Sequence, residues 1–202
     1  MKLFYSAASP FVRKVVVLLH ELDQVDTVEL VHTTTTALAS DTDLIAANPL
    51  AKLPALTRPD GPTLYDSRVI TTYLNNLFSG DFYPRQNARW DVLTLEATGD
   101  GIMESAVSMT YEGRLRPPEQ QSPDWVEAQW QKVARALDAL ENRWLANLQG
   151  PVGMGQISVA CALGYLDLRH DARHWRQGHE ILAKWYENFA QRPSMQATQP
   201  EG

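Results

Sequence analysis

The chain has 202 residues, of which 44% are hydrophobic and 21% charged, and it carries a net charge of −6. That is enough chain for one large domain or two small ones with real cores, at the composition of an ordinary globular protein. Residues 1–83 hold 6 Lys/Arg and 9 Asp/Glu and residues 84–202 hold 12 and 15, so each part is −3 and neither offers the concentrated basic patch of a nucleic-acid binder.

The single cysteine, Cys161, excludes an intramolecular disulfide and a CxxC redox pair. No signal-peptide pattern follows Met1-Lys2, and no apolar run approaches the roughly 20 residues of a membrane helix. The expected location is therefore a reduced, cytoplasmic compartment.

Taken in order, Lys2-Leu3-Phe4-Tyr5 reads as a first strand. Ser9-Pro10 is an N-cap followed by proline at the first helical position. Apolar residues from Phe11 to Leu22 then recur at helical spacing, which predicts a helix over 10–23. Residues 27–31 alternate like a second strand, giving a strand-helix-strand unit with parallel strands. His32 to Ser40 is polar and threonine-rich, either a loop over a pocket or a solvated spacer. Asp41 to Ala47 is at most a short helix, ended by Asn48-Pro49.

Pro54 stands between two short apolar runs. Proline cannot donate to a sheet ladder, so it belongs at a strand edge or a strand's first residue, and the preceding peptide is open to either isomer. Ala55-Leu56-Thr57 is a third strand, Arg58-Pro59-Asp60-Gly61 a hairpin turn, and Thr63-Leu64-Tyr65 an antiparallel fourth. Asp66-Ser67 marks a helix start, and Val69, Ile70, Tyr73, Leu74 and Leu77 are expected on one face of a helix over 67–78. The order is βαβ then ββα.

Ser79 to Pro84 is the linker, and beyond it the strand signals stop. Helices are predicted over 86–112, 123–147, 154–169 and 178–191. The domains are thus residues 1–83, α/β, and residues 84–202, an all-α bundle.

A βαβ-ββα unit of this length has a thioredoxin-like order, with Ser9 where a redox protein keeps its cysteine. A hydroxyl at a helix N-terminus still suits an anion, because the free amides and the macrodipole favour negative charge there. A thiol bound at that point ionises more easily, and the thiolate is the nucleophile.

Four stretches now carry a resemblance over essentially the whole chain. They are Ser9-Pro10-Phe11-Val12-Arg13-Lys14, Asn48-Pro49-Leu50-Ala51-Lys52-Leu53-Pro54, Tyr65-Asp66-Ser67 and Ala160-Cys161-Ala162-Leu163-Gly164-Tyr165-Leu166-Asp167. In this order they resemble the cytosolic glutathione transferase superfamily, and closely its bacterial, serine-type members. The resemblance implies that Ser9 stabilises the glutathione thiolate. It implies that Leu53, before a cis Pro54, pairs its backbone with the cysteinyl part of the tripeptide. Asp66 and Ser67 hold the γ-glutamyl end, and Lys52 reaches the glycyl carboxylate. It further implies a homodimer, glutathione as co-substrate with no other cofactor, and a second domain that supplies a pocket for a small hydrophobic electrophile. Phe11, Met103, Val107 and Tyr111 are the candidates for that pocket, the last three on a helical face expected to turn toward Ser9. The activity implied is glutathione conjugation, with glutathione-dependent peroxide reduction at the same site. The alternative is a non-catalytic binding or regulatory member of the fold.

The plainer readings stand beside these. Ser9 and Asp66-Ser67 are also ordinary helix caps, Lys52 an ordinary solvated lysine, and Tyr5 a rival thiol donor. Arg13 reads as a structural or surface charge and Cys161 as a core residue. Glu96, Asp100 and Glu104 form an acidic stripe, a solvated face or a partner for cations across a dimer. His170, His174 and His179 read as a solvated polar turn, and no set of residues has metal-ligand spacing. Gly153-Met154-Gly155-Gln156 stands where the family usually has a Ser/Thr-x-x-Asp capping box, a weakened version of it.

Overall fold

The computed structural model describes residues 1–200. The chain divides into two compact units that meet in sequence at Tyr83 and Pro84. The first unit also takes the chain from Pro193 onward, so the helical unit ends at Arg192 rather than running to the terminus.

In the first unit, β1 (Lys2–Tyr5), β2 (Glu29–His32), β3 (Ala55–Arg58) and β4 (Gly61–Leu64) form one sheet in the order β2-β1-β3-β4. β1 pairs parallel with β2 and antiparallel with β3, and β3 pairs antiparallel with β4. Central β1 is buried on both faces, as a strand between covering layers must be. Phe4 packs with Leu44 of α2 (Thr42–Ala47) and with Ala55, while Leu3 lies on the other face.

α1 (Pro10–Glu21) starts at Ser9, whose extended backbone and hydroxyl cap it. It stops two residues before the predicted end because Asp23 turns left-handed at φ 56° and its amide bonds back to His20. α3 (Ser67–Leu77) packs beside α1. Its buried face is not the one the apolar residues alone suggest. Ile70 and Leu74 are buried, but with Ser67, Thr71 and Asn75, while Val69 and Leu77 are exposed. Two polar residues hold the linker: the Thr71 hydroxyl lies 2.8 Å from the Tyr83 hydroxyl, and Phe82 N donates to Asn75 Oδ1 at 3.0 Å.

α9 (Pro193–Gln196) belongs to the same unit and was not foreseen, because its sequence is polar. Ser194 and Met195 are nonetheless buried, and α9 lies against α1.

The second unit contains α4 (Ala88–Leu115), α5 (Pro123–Arg143), α6 (Leu145–Leu148), α7 (Met154–His170) and α8 (Glu180–Phe189). The predicted helix over 123–147 is broken at Trp144, which leaves helical geometry at φ −113° and ψ 0°. α7 is the hub, buried at every residue from Met154 to Leu166, Cys161 included. α4 runs beside it in the same direction: Leu95 meets Gly155, Gly99 meets Ser158, and Thr110 meets His170. Glycine is required at Gly99, where an added Cβ would fall 2.7 Å from the Ser158 carbonyl carbon.

Two polar readings change in this unit, and that of a weakened capping box holds. Glu96 and Asp100 are buried rather than solvated; the Ser158 hydroxyl lies within hydrogen-bond distance of the Glu96 carbonyl and of Asp100 Oδ1, at 3.1 and 3.0 Å. Gln156 completes half of a capping box, since its Oε1 accepts from Gly153 N at 3.1 Å and glycine has no side chain to return the bond. The histidine-arginine turn is a bonded network. Asp167 accepts from Trp175 Nε1 at 2.7 Å and from both terminal nitrogens of Arg176, at 2.5 and 2.8 Å. His179 bridges the Trp175 carbonyl and Asp138.

At the far ends of α4 and α7, His170 Nε2 lies 2.9 Å from the Ala106 carbonyl, and the Tyr165 hydroxyl donates to Thr110 at 3.3 Å. Burial lowers the pKa of His170. Its bond to Ala106 opposes that effect, and Arg173 and Arg169 reinforce it. A histidine whose pKa is lowered by folding contributes stability that is present above its ordinary pKa of about 6.5 and is lost as pH falls from there through the lowered value. The melting temperature should therefore fall more steeply from about pH 7.5 to about pH 5.5 in the wild type than in His170→Gln, as read by parallel thermal melts.

Candidate functional site

Strand direction gathers the candidate residues of the first unit. β1 and β4 both run antiparallel to β3, so they are parallel to each other and their C-terminal ends lie at the edge where β3 begins. α1 follows β1, and α3 follows β4. Ser9 at the start of α1, Leu53-Pro54 at the start of β3, and Asp66-Ser67 at the start of α3 therefore share one edge of the sheet. The register agrees: Phe4 faces Ala55 and Leu56 faces Leu64.

At that edge the Leu53-Pro54 peptide is cis. Pro54 is buried, Leu53 half-buried, and the β1–β3 ladder begins only at Ala55. The backbone of Leu53 thus extends the line of β3 without a strand beside it, an edge on which an extended peptide can pair.

The loop before it is built by Asn48, a residue whose role the sequence did not single out. Asn48 is 1% exposed. Its Nδ2 donates to the Lys52 carbonyl at 2.8 Å, its Oδ1 accepts from Leu50 N at 3.0 Å, and its carbonyl accepts from Ala51 N at 2.8 Å. Ala51 takes a left-handed φ of 52° to close the turn. Lys52 is left with an exposed side chain beside the edge.

Ser9 is half-buried, and its Oγ accepts from Val12 N at 3.4 Å. In that bond the hydroxyl oxygen is the acceptor, so its own O–H remains available as a donor while it caps the helix. Asp66 caps α3 by accepting from Arg68 N at 3.1 Å, and the Tyr65-Asp66 peptide is also cis. Ser67 is 2% exposed and occupies the first helical position. Two helix N-termini therefore open at one sheet edge, each offering free amides to negative charge.

The remaining candidates sit on other turns and elements. Phe11 is half-buried on α1, and Tyr5 ends β1, where its carbonyl accepts from Thr33 N at 2.8 Å. Met103, Val107 and Tyr111 belong to α4 in the second unit and follow one helical face: Met103 is fully buried, Val107 half-buried and Tyr111 39% exposed. Among the described residues no group of three His, Cys, Asp or Glu side chains is placed to hold a metal ion, and no helix is long and apolar enough to cross a membrane.

A thioredoxin-like α/β unit with serine in place of the redox thiol, a cis proline opening β3, and a helical unit after it define a class of two-domain, thiol-handling proteins. The comparisons name the family within that class. Residues 8–77 match the model of the glutathione S-transferase N-terminal domain, and residues 123–188 that of its C-terminal domain. The chain belongs to the glutathione S-transferase family. It is 34% identical to the uncharacterized GST-like protein YibF of Escherichia coli K12, over 99% of this chain and 98% of that protein. A glutathione transferase family member from Pseudomonas fluorescens Pf-5, solved with bound glutathione, is 48% identical over 100% of this chain and 99% of its own, with a TM-score of 0.97. A second structure from that organism holds S-(propanoic acid)-glutathione, at 46% identity, full coverage of both chains and a TM-score of 0.93. A glutathione S-transferase from Methylobacillus flagellatus KT, also with glutathione bound, is 35% identical over 99% of each chain, with a TM-score of 0.88.

Asn48→Ala removes both side-chain bonds that shape the 49–52 turn, while leaving Ser9 and the α3 N-terminus in place. Chemical denaturation should show the variant less stable by about 1 to 3 kcal/mol, because the Lys52 carbonyl and the Leu50 amide lose their partner.

Proposed function

We propose that the protein is a glutathione transferase in which the sheet edge binds glutathione and the bound thiolate attacks a small electrophile. The observation that carries this reading is the convergence of the Leu53–cis-Pro54 edge with the starts of α1 and α3. The two relatives with bound glutathione support it. In this reading Leu53 pairs its N–H and C=O with the cysteinyl residue. The hydroxyl and amide of Ser67 hold the γ-glutamyl carboxylate, Asp66 meets its ammonium, and Lys52 reaches the glycyl carboxylate. The Ser9 hydroxyl donates to the thiolate.

Phe11, Met103, Val107 and Tyr111 are proposed to offer apolar surface for the second substrate. S-(propanoic acid)-glutathione, the ligand of one relative, is a thioether and so has the form of a conjugation product. It makes an α,β-unsaturated carboxylic acid a suitable acceptor to test. The sulfur–carbon bond would form as the carbon–carbon π bond breaks, and a proton would be delivered to the neighbouring carbon. Peroxide reduction would use the same thiolate. We also propose that the protein is cytoplasmic and acts as a homodimer.

A second reading keeps the tripeptide site without catalysis, as a binding or regulatory module. The Ser9 bond to Val12 N favours it, because that bond alone accounts for a serine at this position.

Ser9→Ala separates the two. Loss of one hydrogen bond to a charged sulfur should lower turnover with a model electrophile about ten- to a hundredfold, while the chain is still retained on immobilised glutathione. Unchanged turnover would remove Ser9 from the mechanism, and no retention of the wild type at millimolar glutathione would remove the site.

A further inference from the structure

Arg13 is 7% exposed, a guanidinium buried one turn into α1. Its Nη2 donates to the Met195 carbonyl at 3.1 Å and its Nε to Thr198 Oγ1 at 3.4 Å. Nη1 is buried with no hydrogen-bond partner. Both acceptors are neutral, and among the described residues no carboxylate pairs with Arg13. Burying a charge with only neutral partners is costly, and a surface cation with a purely structural task would be exposed or paired.

The segment that buries it is the one that leaves the helical unit and returns to the first. Ser194 bonds Glu21 at 2.5 Å, Thr198 bonds the Ser194 carbonyl at 2.8 Å, and Arg13 ties the two strips together. Arg13 is also linked to Ser9 directly, since its amide donates to the Ser9 carbonyl at 3.0 Å. Side chains on a helix lean toward its N-terminus, which directs Arg13 toward the first turn of α1. Shielded from water, its field is weakly screened.

We propose that Arg13 is a positioning residue for the thiol at Ser9, and that the 193–200 segment is the clamp that makes it effective. The clamp keeps the guanidinium dry and fixed, and the fixed charge adds to the field of the α1 N-terminus, favouring the thiolate of bound glutathione. The inference rests on the proposed glutathione site. Other charged or titratable groups on the elements packed against α1 are few. They are Lys14, His20 and Glu21 on α1 itself, Asp26 on the 3-10 turn that follows, and Arg68 and Tyr73 on α3 with its cap Asp66. None lies between Pro193 and Pro200, and Glu201 is outside the described residues.

The test is the pH titration of the glutathione thiolate by its ultraviolet absorbance in the full-length complex, after calorimetry has established glutathione binding. Arg13→Met should raise the bound thiol's pKa by about half a unit to one unit, and Arg13→Lys, which keeps the charge, should restore most of that shift. Arg13→Gln, which keeps a donor toward the Met195 carbonyl but removes the charge, should raise the pKa as well; it decides the matter if Arg13→Met does not fold. A pKa equal to the wild type's in Arg13→Met, or in Arg13→Gln, overturns the proposal, and so does an Arg13→Lys value as high as that of Arg13→Met. Absence of glutathione binding by the wild type is a failure of the proposed function, not of this inference.

Discussion

The direction of β3 is the constraint on which the rest depends. Because β3 runs antiparallel between β1 and β4, the ends of two strands and the beginning of a third lie at one edge of the sheet. Each of those ends then carries a device suited to it. The two outgoing strands lead into helices whose free amides face outward, and the incoming strand begins with a proline that cannot extend the ladder. Reversing any one strand would scatter the three devices to opposite ends of the unit. The proposed chemistry needs them together, because an extended tripeptide with a thiol and two carboxylates asks for a backbone edge and for positive potential near it.

That edge is kept rigid from behind. Asn48 closes the turn before Leu53 with bonds to three neighbours, and α2, ahead of it, is anchored by Leu44 against Phe4 and Ala55. On the opposite face α1 is held by α3 and by the returning C-terminal segment, which encloses Arg13. The helical unit has its own logic, an α7 buried from Met154 to Leu166 with α4 running alongside it at glycine distance. Its polar residues are spent on joining helices: Asp100 with Ser158, Thr110 with Tyr165, and Asp167 with Trp175 and Arg176.

Much of this was legible in the sequence where local chemistry dictates it. Ser9-Pro10, Pro54 and Asp66-Ser67 announce caps and a strand start by residue type alone, and the strand and helix order followed. The rest depends on contacts distant in sequence. Nothing in Asn48 says that it closes a loop, since an asparagine before proline reads as a helix stop. Glu96 and Asp100 look like a solvated stripe until α7 is laid over them. Arg13 looks like a surface charge until a polar segment 182 residues away covers it. The apolar count on α3 misassigned its face for the same reason: Thr71 and Asn75 are buried because the linker supplies their partners.

The central claim is that the edge before β3 receives a peptide while Ser9 receives its sulfur. A crystal structure of the protein grown with millimolar glutathione tests it most directly. The tripeptide should lie antiparallel to Leu53, with its sulfur within hydrogen-bond reach of Ser9 Oγ and its γ-glutamyl carboxylate at the Ser67 amide. Glutathione seated with its sulfur away from Ser9, or an edge left empty at that concentration, would contradict it.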